Sequence, residues 1–171
     1  LQIAERLNDL LHLLGYQTYI LRNTDTSLHT EGSTISAQKI SDLKHRVRMV
    51  TEAEASMLVS IHQNTFSDKR YSGAQVFYCN DEESLSVARR LQANLVEVLN
   101  PTSKRKPKPA KGIYLMEHIT RPGVLIECGF LSNAAEEQKL LTDEYRAKVA
   151  ESIVKGLTEY LRLQGNLANG A

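Results

Sequence analysis

Several features that would assign this 171-residue chain to a specialised class are scarce or absent. Two cysteines are too few for a disulfide scaffold. The formal net charge is +1, so the strong excess of Lys and Arg expected of a nucleic-acid-binding face is missing, and we predict no nucleic-acid partner. No run of 18 apolar residues occurs, so no segment of the sequence is predicted to span a membrane. With 42% apolar and 24% charged residues, the chain has the composition and size of one globular domain with a single core.

Common catalytic and cofactor motifs are also absent. The sequence contains no G-x-G-x-x-G, P-loop, G-x-S-x-G, H-E-x-x-H or C-x-x-C pattern, so it offers no support for nucleotide binding, serine hydrolysis or a helix-borne zinc site. Cys79 and Cys128 each lie in an apolar run and are predicted to be buried free thiols. A disulfide between them remains open, because residues distant in sequence can occupy neighbouring strands.

The hydrophobic pattern alternates between helical and strand-like segments. Apolar residues at three-and-four spacing predict helices over residues 1–14, 39–53, 82–99 and 143–163, with a short helix within 131–141. Strands are predicted at 17–21, 57–61, 74–79 and 123–129, and loops at 23–37 and 101–111. This alternation predicts an α/β fold with a mostly parallel sheet flanked by helices on both faces, and sites at the carboxyl ends of its strands.

Two strand ends carry an ionisable side chain directly after a hydrophobic run. His62 follows residues 57–61, where a neutral imidazole could meet a metal ion or a substrate; a hydrogen-bonded histidine at the strand edge is the alternative. Glu127 follows three aliphatic residues, and desolvation there would raise its pKa into the range of a general acid or base. Alternatively, Glu127 faces solvent or pairs with Arg121.

The other candidates are predicted to be ordinary surface or helix-face groups. His12 lies in the first predicted helix, His29 in a polar loop, His45 in the middle of a predicted helix and His118 near the mouth of the last strand. The basic run at residues 104–108 (KRKPK) is predicted to be a solvated loop. Its functional alternative is the attraction of an anionic polymer such as the cell wall.

Two separated motifs resemble the zinc-dependent N-acetylmuramoyl-L-alanine amidases of the bacterial cell wall. Residues 57–64 (MLVSIHQN) are similar to that family's Ser-Ile-His-x-Asn strand, and residues 122–133 (PGVLIECGFLSN) to its Pro-x-Val-Leu-x-Glu-x-Gly-Phe-Leu-Ser-Asn segment. Residues 72–75 (SGAQ) extend the likeness, and residues 112–116 (GIYLM) resemble the sporulation members that act on spore cortex. The resemblance covers nearly the whole of residues 1–171 as a single amidase catalytic domain.

The resemblance implies a zinc hydrolase that cleaves the amide between N-acetylmuramic acid and L-alanine of the stem peptide. It makes His62 a Zn²⁺ ligand and Glu127 the catalytic carboxylate, which takes a proton from metal-bound water and passes it to the leaving amine. Peptidoglycan would then be the partner. The expected location is extracytoplasmic, at the cell wall or developing spore envelope.

The chain departs from the family pattern at its beginning. The family's other two ligands, a histidine in a Gly-His-Gly-Gly segment and a glutamate before the first helix, have no counterpart, because the helical pattern is already running at Leu1. We therefore expect a domain truncated at its N-terminus, without its first strand, that binds zinc weakly or not at all and is inactive. Any membrane anchor would lie in the missing part.

Two further expectations follow from the same departure. An exposed sheet edge or apolar gap would invite a homodimer or a protein partner. The alternative function is a non-catalytic amidase-like module that binds peptidoglycan or a regulatory partner, which would account for an incomplete metal site.

Overall fold

The computed structural model describes the backbone of residues 1–168 and the side chains of residues 1–164. Helices and strands alternate along most of the chain. Their order is α1 (Gln2–Leu13), α2 (Ile35–Glu52), β1 (Leu58–Asn64), β2 (Gln75–Tyr78), α3 (Glu82–Leu99), β3 (Lys108–Pro109), α4 (Tyr114–His118), β4 (Gly123–Phe130), α5 (Ala134–Leu140) and α6 (Asp143–Ala168). The predicted α/β class is confirmed.

The sheet has four strands in the order β1-β4-β2-β3 and is mainly parallel. β1 pairs with β4 in parallel and β2 with β3 in parallel, whereas β2 and β4 run antiparallel. The two strands that carry the predicted site residues, β1 and β4, are therefore direct parallel neighbours, and their carboxyl ends meet at one rim of the sheet.

Helices cover both faces of the sheet, as predicted. The larger core lies under α1, α3 and α6 and contains buried side chains from all three, together with Val124, Ile126 and Cys128 of β4. The smaller core lies under α2 and α4 and contains Leu58 and Leu125. Since side chains of a strand alternate between faces, residues 60, 62 and 127 belong to the face covered by α2 and α4.

Local sequence accounts for where the longest helices begin. Asp81 caps α3, its carboxylate accepting the Ser84 N–H at 2.7 Å, and Thr34 caps α2 by accepting the Ala37 N–H at 3.2 Å. The Thr34 cap explains why α2 begins at Ile35, four residues before the predicted start. In the described part of the chain no helix is both long and apolar enough to cross a membrane.

Two sequence predictions about regular structure were wrong. Residues 17–21 do not form a strand, although their composition is typical of one, and the loop predicted at 101–111 contains the short strand β3, which pairs with Phe77 and Tyr78. The helix α4 was not predicted. A segment forms a strand only where a neighbouring strand can pair with it. β2 is such a neighbour for Lys108 and Pro109.

A cavity of about 1220 Å³ separates residues 17–21 from β1, so these residues have no neighbouring strand to pair with. It lies between β1 on one side and residues 16–22 on the other, so the outer edge of β1 is open. Apolar side chains of α1 and α6 line one wall, and side chains of α2 line the other; they include Leu7, Leu11, Leu157, Leu161, Leu43 and Val50.

An open edge beside an apolar cavity leads us to predict concentration-dependent self-association, because unpaired strand edges are templates for pairing with another chain. Sedimentation velocity across a wide concentration range would show a dimer growing with concentration. A monomer at every concentration would contradict the prediction.

The contact between α3 and α6 generates a stability prediction. A Cβ atom added to Gly156 would lie 3.0 Å from both Cα and Cδ2 of the fully buried Leu91. We expect Gly156→Ala to destabilise the fold by about 1–2 kcal/mol, because overpacking outweighs the gain in helix propensity. Urea unfolding checks this, with the exposed Lys155→Ala as the matched control on the same helix. A Gly156→Ala protein as stable as the parent would refute it.

Candidate active site

His62 and Glu127 lie side by side. They are Cα partners in the register of β1 and β4, and both side chains project to the face covered by α2 and α4. β1 continues to Asn64, so His62 lies within the strand and not after its end as predicted. The register then shifts between His62 and Asn64, so that Asn64 pairs with Phe130. The irregularity lies directly beyond the histidine, at the rim.

Glu127 is a half-buried carboxyl group with no charged partner. Its Oε2 atom is buried and accepts no hydrogen bond from the described residues, and no cation there lies within ion-pairing distance. The expected alternative, pairing with Arg121, is therefore wrong. Desolvation raises the pKa of Glu127 to about 7. The group exists in both protonation states near neutrality, which is what proton transfer to and from a substrate requires.

The pKa of His62 shifts in the opposite direction. Desolvation lowers it, and the positive charges of Arg46 and Arg22 lower it further. Arg46 belongs to α2 and is itself held by Asp42, at 3.2 Å from Nη2 to Oδ1. His62 is consequently neutral at pH 7, and a neutral imidazole has a nitrogen lone pair available for a metal ion. It remains open to solvent on one side.

The described residues do not complete a metal site around His62. Among residues 1–168, no three His, Cys, Asp or Glu side chains lie close enough together to hold an ion. One imidazole and one carboxylate fall short of the three protein ligands of a catalytic zinc. The donor set of this part of the chain therefore does not fit zinc by itself.

A second glutamate, which sequence reasoning missed, organises the rim beyond the site. Glu136 of α5 is buried, and its two oxygens accept the Gly73 N–H at 2.6 Å and the Phe130 N–H at 2.8 Å. It thereby joins the end of β4 to the loop that enters β2. The signal available in the sequence was Asn133, an N-cap residue three positions earlier, whose side chain accepts the Ala135 and Glu136 N–H groups.

The remaining histidines and both cysteines lie apart from the pair. His12 contacts Thr18, His45 contacts the Leu28 carbonyl, and His118 stacks on Tyr114. Cys79 and Cys128 are buried free thiols, as predicted. Cys79 lies in the smaller core and Cys128 in the larger one, on opposite faces of the sheet. Burial raises their pKa values to about 11 and about 12. Neither is a nucleophile at neutral pH.

Comparisons with known proteins all identify similar sequences among the N-acetylmuramoyl-L-alanine amidases. A sequence profile of the N-acetylmuramoyl-L-alanine amidase family matches residues 1–159. The germination-specific N-acetylmuramoyl-L-alanine amidase of Bacillus subtilis is 40% identical over 168 residues, which is 97% of this chain and 70% of that protein. The N-acetylmuramoyl-L-alanine amidase LytC of the same species is 28% identical over 95% of this chain, which spans only 30% of LytC.

A solved structure is similar over almost the same range. The CwlD amidase of Clostridioides difficile, determined in complex with the GerS lipoprotein, superposes with a TM-score of 0.90 at 36% identity. The match covers 94% of this chain and 83% of the CwlD chain.

The raised pKa of Glu127 predicts a pH-dependent stability in metal-free protein. The carboxyl binds its proton more tightly when folded, at a pKa of about 7 against 4.5 for an ordinary glutamate. Folding stability should therefore fall as the pH rises from about 4.5 to about 7 and then level off. Glu127→Gln should abolish that part of the slope.

Urea unfolding at a series of pH values, with a chelator present, measures the effect. Glu151→Gln, an exposed change on α6, is the matched control and should keep the parental slope. Parallel pH profiles for the parent and Glu127→Gln would show that the carboxyl is not perturbed.

Proposed function

The chain belongs to the N-acetylmuramoyl-L-alanine amidase family, and on this premise we propose that His62 and Glu127 take part in hydrolysing the amide between N-acetylmuramic acid and L-alanine in peptidoglycan. The observation that carries the proposal is their side-by-side position on β1 and β4, with a carboxyl group that titrates near neutrality. In this proposal Glu127 is the catalytic carboxylate and His62 is a metal ligand.

Proton transfer is the step assigned to this chain's own residues. Glu127 accepts a proton from the attacking water at its carboxylate and later delivers it to the amine that leaves when the C–N bond breaks. Its Oε2 atom accepts no hydrogen bond from the described residues, so no protein donor competes with a proton for that oxygen. A pKa of about 7 makes both halves of the exchange accessible at the same pH.

Zinc is the metal that the family resemblance implies for this chemistry. A bound Zn²⁺ polarises an amide carbonyl and lowers the pKa of bound water. The described residues offer one imidazole and no cluster of three donors, so the proposed proton transfers are assigned to Glu127 alone. We propose that His62 is this chain's contribution to the ligand set.

A lone imidazole predicts weak zinc binding by residues 1–171. We expect a dissociation constant no tighter than micromolar, since three protein ligands are usual for a catalytic zinc. Isothermal calorimetry of the chain and of His62→Ala measures it, and His62→Ala should remove whatever binding exists. Sub-micromolar affinity in the parent chain would contradict the expectation.

Amide hydrolysis tests the role of Glu127. In the natural protein loaded with zinc, Glu127→Gln should lower kcat on a muramoyl-peptide by about a thousandfold, because the group that transfers protons is gone. Zinc content should stay at the parental level, and Glu151→Gln is the matched control. Parental activity in Glu127→Gln would remove the residue from the mechanism.

The incomplete donor set favours one alternative, a non-catalytic amidase-like module that binds peptidoglycan or a regulatory partner. The same assay separates the two. Release of peptide from peptidoglycan by the zinc-loaded natural protein supports the enzyme. Binding without release, with zinc absent or present, supports the module.

The relatives also suggest where and with what the protein acts. The germination-specific relative supports action on spore peptidoglycan, outside the cytoplasm at the cell wall or developing spore envelope. The CwlD structure contains the GerS lipoprotein, and we extend from that likeness the proposal of a protein partner for this chain. Co-purification from the native organism tests it.

A further inference from the structure

Three connecting segments meet at the rim of the sheet where the active-site pair lies. The segment after β1, residues 65–73, leads to the start of antiparallel β2, so it stays at this rim. Residues 101–107 precede β3, which is parallel to β2, and residues 131–133 follow β4. Hydrogen bonds join these segments: the Phe66 N–H to Ser132 Oγ at 3.0 Å, and Asn133 Nδ2 to the Lys69 carbonyl at 3.0 Å.

Aromatic side chains form a connected row at this rim. The Phe66 and Tyr71 rings meet edge to face with centroids 4.7 Å apart, and Tyr71 lies 6.1 Å from Phe130. Phe130 is buried, but Phe66 and Tyr71 are 48% and 46% exposed. Phe130 lies three residues beyond Glu127 along β4, about 10 Å at the rise of a strand. The outward faces of Phe66 and Tyr71 therefore form an apolar surface at the rim that carries Glu127.

The connecting segments that meet at this rim also carry positive charge. Lys69, Lys104 and Lys106 are exposed, and none of them has a carboxylate within 4.0 Å in the described part of the chain. The neighbouring arginines are already engaged. Arg70 pairs with Asp68 at 2.8 Å, and Arg105 lies over the Phe130 ring at 5.1 Å.

The backbone beneath this surface is held in place. Gly73 donates its N–H to the buried Glu136 at 2.6 Å and accepts Arg105 Nη1 at its carbonyl at 3.0 Å. Gly73 has a φ of +83°, a conformation that other residues rarely adopt. The two loops are thus fixed to each other and to β4, so the exposed rings and lysines form a pre-arranged surface. We name Phe66, Tyr71, Lys69, Lys104 and Lys106 the rim platform.

We propose that the rim platform binds the peptidoglycan polymer beside the scissile amide, its lysines pairing with stem-peptide carboxylates and its aromatic rings lying against sugar rings. The inference rests on the proposed function and extends it to a substrate-binding surface. The occupant follows from complementarity: a polymer of sugars bearing short acidic peptides offers apolar ring faces and carboxylates together, as the platform offers aromatic rings and unpaired ammonium groups.

Polymer binding tests the proposal without depending on turnover. All proteins carry Glu127→Gln so that the polymer stays intact, and they are sedimented with purified insoluble peptidoglycan stripped of phosphate polymers. We expect the triple variant Lys69→Gln, Lys104→Gln, Lys106→Gln to bind at least about tenfold more weakly at low ionic strength, with the difference shrinking in high salt. Phe66→Ala with Tyr71→Ala should also weaken binding, but with little salt dependence.

A second triple variant controls for net charge. Arg89→Gln, Lys148→Gln, Lys155→Gln removes three exposed cations from α3 and α6, and should bind within about twofold of the parent. Circular dichroism confirms that each variant is folded. If both triple variants lost peptidoglycan binding equally, net charge alone would account for the loss, and the proposal would be overturned.

Chemical modification of the polymer identifies the anion. Peptidoglycan whose carboxyl groups have been converted to neutral amides should bind the parent as weakly as the intact polymer binds the Lys69, Lys104, Lys106 variant. Undiminished binding to the amidated polymer, or binding only to walls that retain phosphate polymers, would overturn the assignment to stem-peptide carboxylates. If the platform variants bind as expected, but the zinc-loaded natural protein with Glu127 intact hydrolyses nothing, the proposed function is refuted and the platform stands.

Discussion

Parallel hydrogen bonding between β1 and β4 is the constraint from which the candidate site follows. The register that pairs Leu58 with Gly123 carries through to His62 and Glu127, so two residues distant in sequence reach one rim on one face. A slip of one residue would send His62 or Glu127 into the opposite core. Apolar side chains on both faces of β4 pack into the two cores, so any slip would force both cores to repack.

Two glutamates near the end of β4 differ in their hydrogen bonding, and this difference suits one to a structural role and the other to proton transfer. Glu136 is more deeply buried, yet each of its oxygens accepts a backbone N–H, so its cost of burial is offset and it serves to join the rim segments. Glu127 retains a buried oxygen without a partner, and its pKa rises to about 7. An unpaired buried carboxyl destabilises the fold, and such groups concentrate at functional sites.

Sequence reasoning went furthest where local pattern and tertiary context agree. The helix predicted at 82–99 matches α3, because Asp81 provides a cap and the apolar stripe meets α6. The pair His62 and Glu127 was predicted because each follows a hydrophobic run in the sequence. Residues 17–21 show where sequence pattern fails as a predictor. A strand needs a neighbour to pair with, and a cavity separates these residues from β1. Glu136, Arg46 and the rim platform depend on contacts between distant segments, which periodicity does not encode.

The central claim is that His62 and Glu127 share one site in which the carboxyl titrates near neutrality. A ¹³C and ¹⁵N NMR titration of metal-free protein, following the Glu127 carboxyl and the His62 ring together, tests it most directly. The account predicts a Glu127 midpoint near pH 7 and a matching inflection in the His62 ring signals. A Glu127 midpoint close to 4.5, the ordinary value of a glutamate, with no accompanying change in the His62 signals, would contradict a shared site.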